Sequence, residues 1–185
     1  MAKLAVLASG NGSNFQALAD AIIADGRHSV VLLACDKAEA YALERAKNLG
    51  VPTVLVSYKG RPRPEAEAQL HDALTAAGAD IVALAGFMRI LSANFVHQWA
   101  GRLVNVHPSI LPAWPGAHAI ERAYEAGEPE LGVTVHYVDA GMDTGPIIGQ
   151  VRVPRGQTLD DTEALIHKAE HSLYPRLVLE LLNRV

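Results

Sequence analysis

Residues 3–26, KLAVLASGNGSNFQALADAIIADG, decide the fold. The apolar run Lys3 to Ala8 reads as a buried strand, and Asn14 to Asp25 carries Ala, Leu and Ile at helical spacing. Strand, glycine loop and helix in that order open a βαβ unit. The pattern recurs: Val30 to Ala34, Thr53 to Val56 and Ile81 to Ala85 have strand composition, and Ala38 to Leu49 and Pro64 to Ala77 are helical. Gly26, Gly50 and Gly78 stand where helix C-caps belong. A parallel sheet with right-handed crossover helices follows, and such sheets place ligands at the C-terminal ends of their strands.

The second half departs from this alternation. A short helix from Asn94 to Trp99 leads to a strand from Leu103 to His107, and the stiff loop PSILPAWPGAH then replaces an immediate helix. A helix near Ala119 to Ala126 is ended by Gly127. Strands Gly132 to Val138 and Pro146 to Val153, joined by DAGMDTG, suit an antiparallel pair. The closing helix starts near Leu159 with Thr158 as its N-cap, and a kink is expected at Pro175.

At 185 residues, half of them apolar, the chain is expected to form one domain over 1–185. Sixteen basic against twenty acidic side chains, with no clustered basic face, argue against a nucleic-acid partner. The lone Cys35 excludes an intrachain disulfide and a CxxC-type metal site, and no His, Cys or carboxylate cluster has ligand spacing, so no metal is expected. The N-terminus turns polar too soon for a signal peptide, and no run approaches the roughly 20 apolar residues of a membrane span. A cytoplasmic, soluble protein is the expectation.

Two segments carry chemistry. Ser9-Gly10-Asn11-Gly12-Ser13-Asn14, between a strand and a helix, presents free N–H groups and a positive dipole end to an anion. The competing account is structural: Ser13 and Gln16 fit a capping box, and the glycines make the turn. A dinucleotide is a further alternative, with Asp36 at the end of the second strand as the ribose acid, but Phe15 occupies the third fingerprint position in place of glycine. A monophosphate suits the loop better.

The other segment is Asn105-x-His107. Two apart on a strand, these side chains share a face, and an amide beside an imidazole at a strand's C-terminal end is what acyl transfer needs. Asp143 lies on a Gly-rich turn able to return to the same sheet edge, where a carboxylate favours an imidazolium. The structural alternatives are a strand end for the pair and a turn-forming Asp-Thr-Gly for Asp143. No Ser or Cys near His107 has a nucleophile's setting, and direct attack by a substrate amine would need none.

The segments SGNGSNFQAL, ALAGFMRIL, LVNVHPSILPAWPGAH, GVTVHYVDAGMDTGPII and AEHSLYP, in this order over nearly the whole chain, resemble the phosphoribosylglycinamide formyltransferase family, folate-dependent enzymes of purine synthesis. The resemblance implies a Rossmann-like, mostly parallel α/β sheet with an antiparallel C-terminal extension. It implies transfer of formyl from 10-formyltetrahydrofolate to the amine of glycinamide ribonucleotide, with Asn105, His107 and Asp143 catalytic. Gly12, Ser13 and Asn14 would hold the substrate phosphate, and Glu170 would reach the same substrate. Arg63, Met88, Arg89, Ile90, Leu91 and Asn105 would face the folate, as would Val138, Asp139, Ala140, Gly141, Met142 and Asp143. His118 and His136 match accessory positions. GRPRPEAE departs from the family's local pattern around Arg63, and Ala117 and Ala119 replace bulkier neighbours of His118.

A formyltetrahydrofolate deformylase is the nearest rival, sharing the three residues but adding an N-terminal regulatory domain. Methionyl-tRNA formyltransferase needs a further domain and a basic surface. An NAD-binding dehydrogenase or a nucleotide-sensing module would use the Gly10 loop and leave Asn105 to Pro115 unexplained. Monomer or homodimer is not legible in the sequence.

Overall fold

A computed structural model describes all residues, 1–185. Seven strands and six helices alternate: β1 (Lys3–Ala8), α1 (Ser13–Asp25), β2 (Ser29–Cys35), α2 (Tyr41–Leu49), β3 (Thr53–Leu55), α3 (Arg63–Ala76), β4 (Ile81–Leu84), α4 (Ala93–Gln98), β5 (Leu103–His107), α5 (Ala119–Glu125), β6 (Glu130–Tyr137), β7 (Ile147–Pro154) and α6 (Leu159–Leu182). One sheet contains all the strands in the order β3-β2-β1-β4-β5-β6-β7. Strands β1 to β5 pair in parallel, whereas β5–β6 and β6–β7 are antiparallel. The expected mixed α/β sheet is therefore present. No helix is long and apolar enough to cross a membrane.

The central strands β1 and β4 are almost wholly apolar because both their faces are covered, whereas the edge strand β3 is only partly buried. On β1, Leu4, Val6 and Ala8 enter a core shared with α1, α2, α5 and α6, while Ala5 and Leu7 enter a second core beneath α3 and α4. Strand order reverses between β1 and β4, whose C-terminal ends flank the crevice where ligands of such sheets bind.

Two local expectations change. Helix α1 is entered from Gly12, in a left-handed conformation with φ 79°, and no side chain caps it. Ser13 is thus the first helical residue, and the Gln16 side chain turns away to donate to Asp20 Oδ1 (2.9 Å). Helix α6 continues through Pro175, which is buried with Tyr174 and Leu177 in the larger core. Packing there holds the helix across the missing donor. Helix α2 starts at Tyr41, not Ala38. Thr158 does cap α6, accepting from Asp161 N at 3.0 Å.

Candidate active site

The loop after β1 is a seat built from backbone. The first-turn N–H groups of α1 have no intrahelical acceptor, and the helix dipole adds positive potential at this point. Gly12 is required twice over: its φ is positive, and a Cβ there would lie 2.6 Å from Ala42 Cβ and 2.8 Å from Ala42 Cα. Arg45 braces the loop from α2, donating through Nε to Asn11 O and through Nη2 to Asn11 Oδ1, both at 2.8 Å.

Helix α6 closes the seat's other side. Asn14 Nδ2 donates to Glu170 Oε2 at 3.2 Å, and His171 Nε2 lies 3.2 Å from Ser13 Oγ. Asn14 Oδ1 is buried without a partner. Burial lowers the His171 pKa below its ordinary value, although Glu170 opposes the shift. Arg45 and His171 escaped the sequence reading because their partners are distant in the chain.

A hydroxyl ties this seat to the next loop. Ser9, buried, donates its backbone N–H to Gly86 O (3.2 Å), and its Oγ accepts from Met88 N (2.8 Å). The segment leading into α4 is fixed at its other end by buried Glu67, which accepts from Ser92 N (2.8 Å) and Ser92 Oγ (2.5 Å). Between these anchors, Arg89, Ile90 and Leu91 line a cavity of about 260 Å³. Leu84, Asn105, His136 and residues 138–143 complete its wall.

Most of the residues expected to face a folate thus line one cavity. Met88 and Arg63 do not: Met88 is 72% exposed, and Arg63 lines a separate pocket, with Nη1 3.5 Å from Ile90 O. Arg89 also meets buried Asp36 at 2.7 Å and lies over the Tyr58 ring at 4.8 Å. The dinucleotide alternative loses its acid to this ion pair, and Phe15 is fully buried where a close-packing glycine would be needed. Burial raises the Tyr58 hydroxyl pKa to about 12.

At the end of this cavity the sheet brings together its polar side chains. Asn105 pairs with His136, and His107 with Thr134, across the β5–β6 ladder. His107 is buried, with Nε2 2.8 Å from the Trp114 carbonyl. A carbonyl only accepts, so Nε2 bears the hydrogen and Nδ1 faces inward. Asp143 Oδ2 stands 3.5 Å from that Nδ1 and accepts from Gly116 N at 2.8 Å.

The turn after β6 returns Asp143 to the sheet. Asp139 Oδ1 accepts from Gly141 N (2.9 Å) and Thr144 Oγ1 (2.7 Å), and the backbone packs so closely that a Cβ on Gly145 would lie 1.7 Å from Tyr137 O. Asp143 itself has φ 55°. Its Oδ1 is 3.8 Å from His136 Nε2, a buried nitrogen with no hydrogen-bond partner. His136 Nδ1 meets Tyr137 O at 2.8 Å, so Nε2 and the carboxylate need a proton or a water between them. His118 is not brought here: its side chain is 72% exposed and faces Glu121.

Residues 2–178 match the sequence profile of the formyl transferase family. The chain belongs to the formyl transferase family. Among curated relatives it is 41% identical to a phosphoribosylglycinamide formyltransferase of Bacillus subtilis, over 99% of this chain and 96% of the relative. It is 50% identical to the trifunctional purine biosynthetic protein adenosine-3 of Drosophila melanogaster, over 98% of this chain but only 14% of that much longer protein. The solved glycinamide ribonucleotide transformylase 1 of Geobacillus kaustophilus superposes with a TM-score of 0.93 at 45% identity, covering 98% of this chain and 99% of that one. The Streptococcus pneumoniae phosphoribosylglycinamide formyltransferase gives 0.91 at 46% identity, over 98% and 99%. In this formyl transferase chain, the site described above lies within the matched residues.

Proposed function

We propose that this formyl transferase moves the formyl group of 10-formyltetrahydrofolate to the amine of glycinamide ribonucleotide, giving the formylated ribonucleotide and tetrahydrofolate. The observation that carries the reading is the convergence of Asn105, His107 and Asp143 at the end of one cavity, with His107 Nδ1 3.5 Å from Asp143 Oδ2. Gly12, Ser13 and Asn14 hold the phosphate, and Glu170 meets the same substrate. The folate enters the cavity lined by Arg89, Ile90, Leu91 and residues 138–143, and Met88 and Arg63 lie outside it.

The amine nitrogen attacks the formyl carbon and a tetrahedral oxyanion forms. Asn105 and protonated His107 donate to that oxygen, His107 through Nδ1, since Nε2 is committed to Trp114, and the Asp143 carboxylate beside Nδ1 supports the imidazolium. Asp143 accepts the proton released by the amine, directly or through water, and that proton leaves with the folate nitrogen as its bond to carbon breaks. No covalent enzyme intermediate and no metal takes part in this scheme. A cytoplasmic address goes with the reading, as does the unpaired Cys35, whose thiol burial raises to about 11.

The test supplies 10-formyltetrahydrofolate with and without glycinamide ribonucleotide and follows tetrahydrofolate and formate separately. Amine-dependent release without formate is expected. Formate release independent of the amine overturns the transferase reading in favour of hydrolysis.

A further inference from the structure

Glu170 poses an electrostatic problem at the phosphate seat. Its carboxylate is 93% buried and linked to Asn14, inside the very segment assigned to a dianionic group. Two like charges in so dry a place repel unless a cation compensates one of them. The compensating group is His167, one turn earlier on α6: its Nδ1 lies 3.1 Å from Glu170 Oε2, the same oxygen that accepts from Asn14. Oε1 has no protein partner, yet it is not among the fully buried unpaired atoms, so it is free to meet a ligand hydroxyl.

Resting on the phosphate-seat reading above, we propose that His167 is a positioning residue that locks Glu170 beside the seat and makes the grip on glycinamide ribonucleotide depend on its own proton. Protonated, it neutralises Oε2 and leaves Oε1 directed at the substrate's sugar hydroxyls. Neutral, it leaves the carboxylate's charge uncompensated beside the phosphate. The hydrogen bond to Glu170 holds the His167 pKa above its ordinary value, with Glu163 adding to the effect and partial burial opposing it. The other titratable groups facing the cluster are His171 on the same helix, whose own cation His167 opposes, and Arg45 of α2, which bears on His171; Glu170 is the sole ion-pair partner of His167. The sign follows: a raised histidine pKa keeps the cation, and the grip, up to a higher pH, and both fade as pH climbs through that value.

The experiment measures KM for glycinamide ribonucleotide from pH 6 to 9 in the wild type, His167→Gln and His167→Arg, with saturating 10-formyltetrahydrofolate. The substrate phosphate and amine titrate identically in all three, so differences between the curves report residue 167. In the wild type, KM should rise with pH by roughly three- to fivefold more than in His167→Arg, the size a half-exposed ion pair supports. His167→Gln should start at the weak-binding level and join the wild type at high pH. The change should fall on KM rather than kcat. Superimposable curves for the three enzymes, or an effect confined to kcat, overturn the proposal. The substrate's phosphate-free riboside separates it from its foundation: an unchanged KM for that riboside overturns the phosphate-seat reading itself, whereas a raised KM beside superimposable His167 curves overturns the role of His167 alone.

Discussion

The loop after β1 and the turn after β6 both deliver chain to the ligand end of the sheet, yet they are held in different ways. The first is a helix terminus, shaped by Gly12 and presenting main-chain N–H groups that any side chain in the segment leaves in place. The second is held from within by the Asp139 carboxylate, and what it delivers is one side chain, Asp143. In the first region a substitution therefore acts mainly on the fold and on binding. In the second it acts mainly on chemistry.

The largest effect expected lies on the chemical side. His107→Ala and Asn105→Ala should each lower kcat by about 10² to 10³, the usual cost of one preorganised oxyanion group, with near-native circular dichroism. Turnover within threefold of wild type in either variant would remove that side chain from the oxyanion role, and the same result in Asp143→Ala would break the contrast. On the structural side, Gly12→Ala forces a positive φ and a clash with Ala42, and chemical denaturation should register a loss of about 2 kcal/mol or more.

Thr134 sharpens the comparison because it serves both regions' logic at once. It is fully buried, accepts from Leu111 N at 3.1 Å and donates to Ser109 O at 2.7 Å, so it anchors the Pro-rich loop that holds His107. Thr134→Val leaves those loop groups unpaired, at a cost of roughly 1–3 kcal/mol. A melting temperature equal to wild type would show that the loop draws its order from elsewhere. The smallest effect belongs to Ser9→Ala, which removes the acceptor for Met88 N. A loss of about 1 kcal/mol in the folate loop corresponds to about a fivefold rise in KM for 10-formyltetrahydrofolate, with a smaller change in KM for the ribonucleotide. Equal changes in both would mean that the two loops move as a unit.

The parallel half was legible because its central strands β1 and β4 are apolar on both faces and its helices end on glycines such as Gly26 and Gly50, signals that reside in adjacent residues. Asn105, His107 and Asp143 could be singled out for the same reason: one dipeptide spacing, and one Gly-rich turn. What failed depended on a single backbone angle or on pairing across the fold. The left-handed Gly12 displaced the capping box from Ser13, and no local pattern shows that. His136 became a neighbour of Asn105 only through the β5–β6 register, and its equal as a family match, His118, turned to solvent. Arg89 was read as a ligand contact, while the structure also pairs it with Asp36, just past the end of β2. The partnership of Glu170 with Asn14 spans 156 residues.

The bond between His107 and the Trp114 carbonyl also makes the site optically addressable. The chain has two tryptophans, and Trp99 is sealed in the smaller core with its indole on His71. Trp114 is half-buried, with the Arg122 guanidinium over its ring at 5.8 Å. In a Trp99→Phe background its emission would come from the residue that holds the His107 imidazole. Any displacement of the Pro-rich loop during turnover would then be written into the enzyme's own fluorescence, without a label near the chemistry.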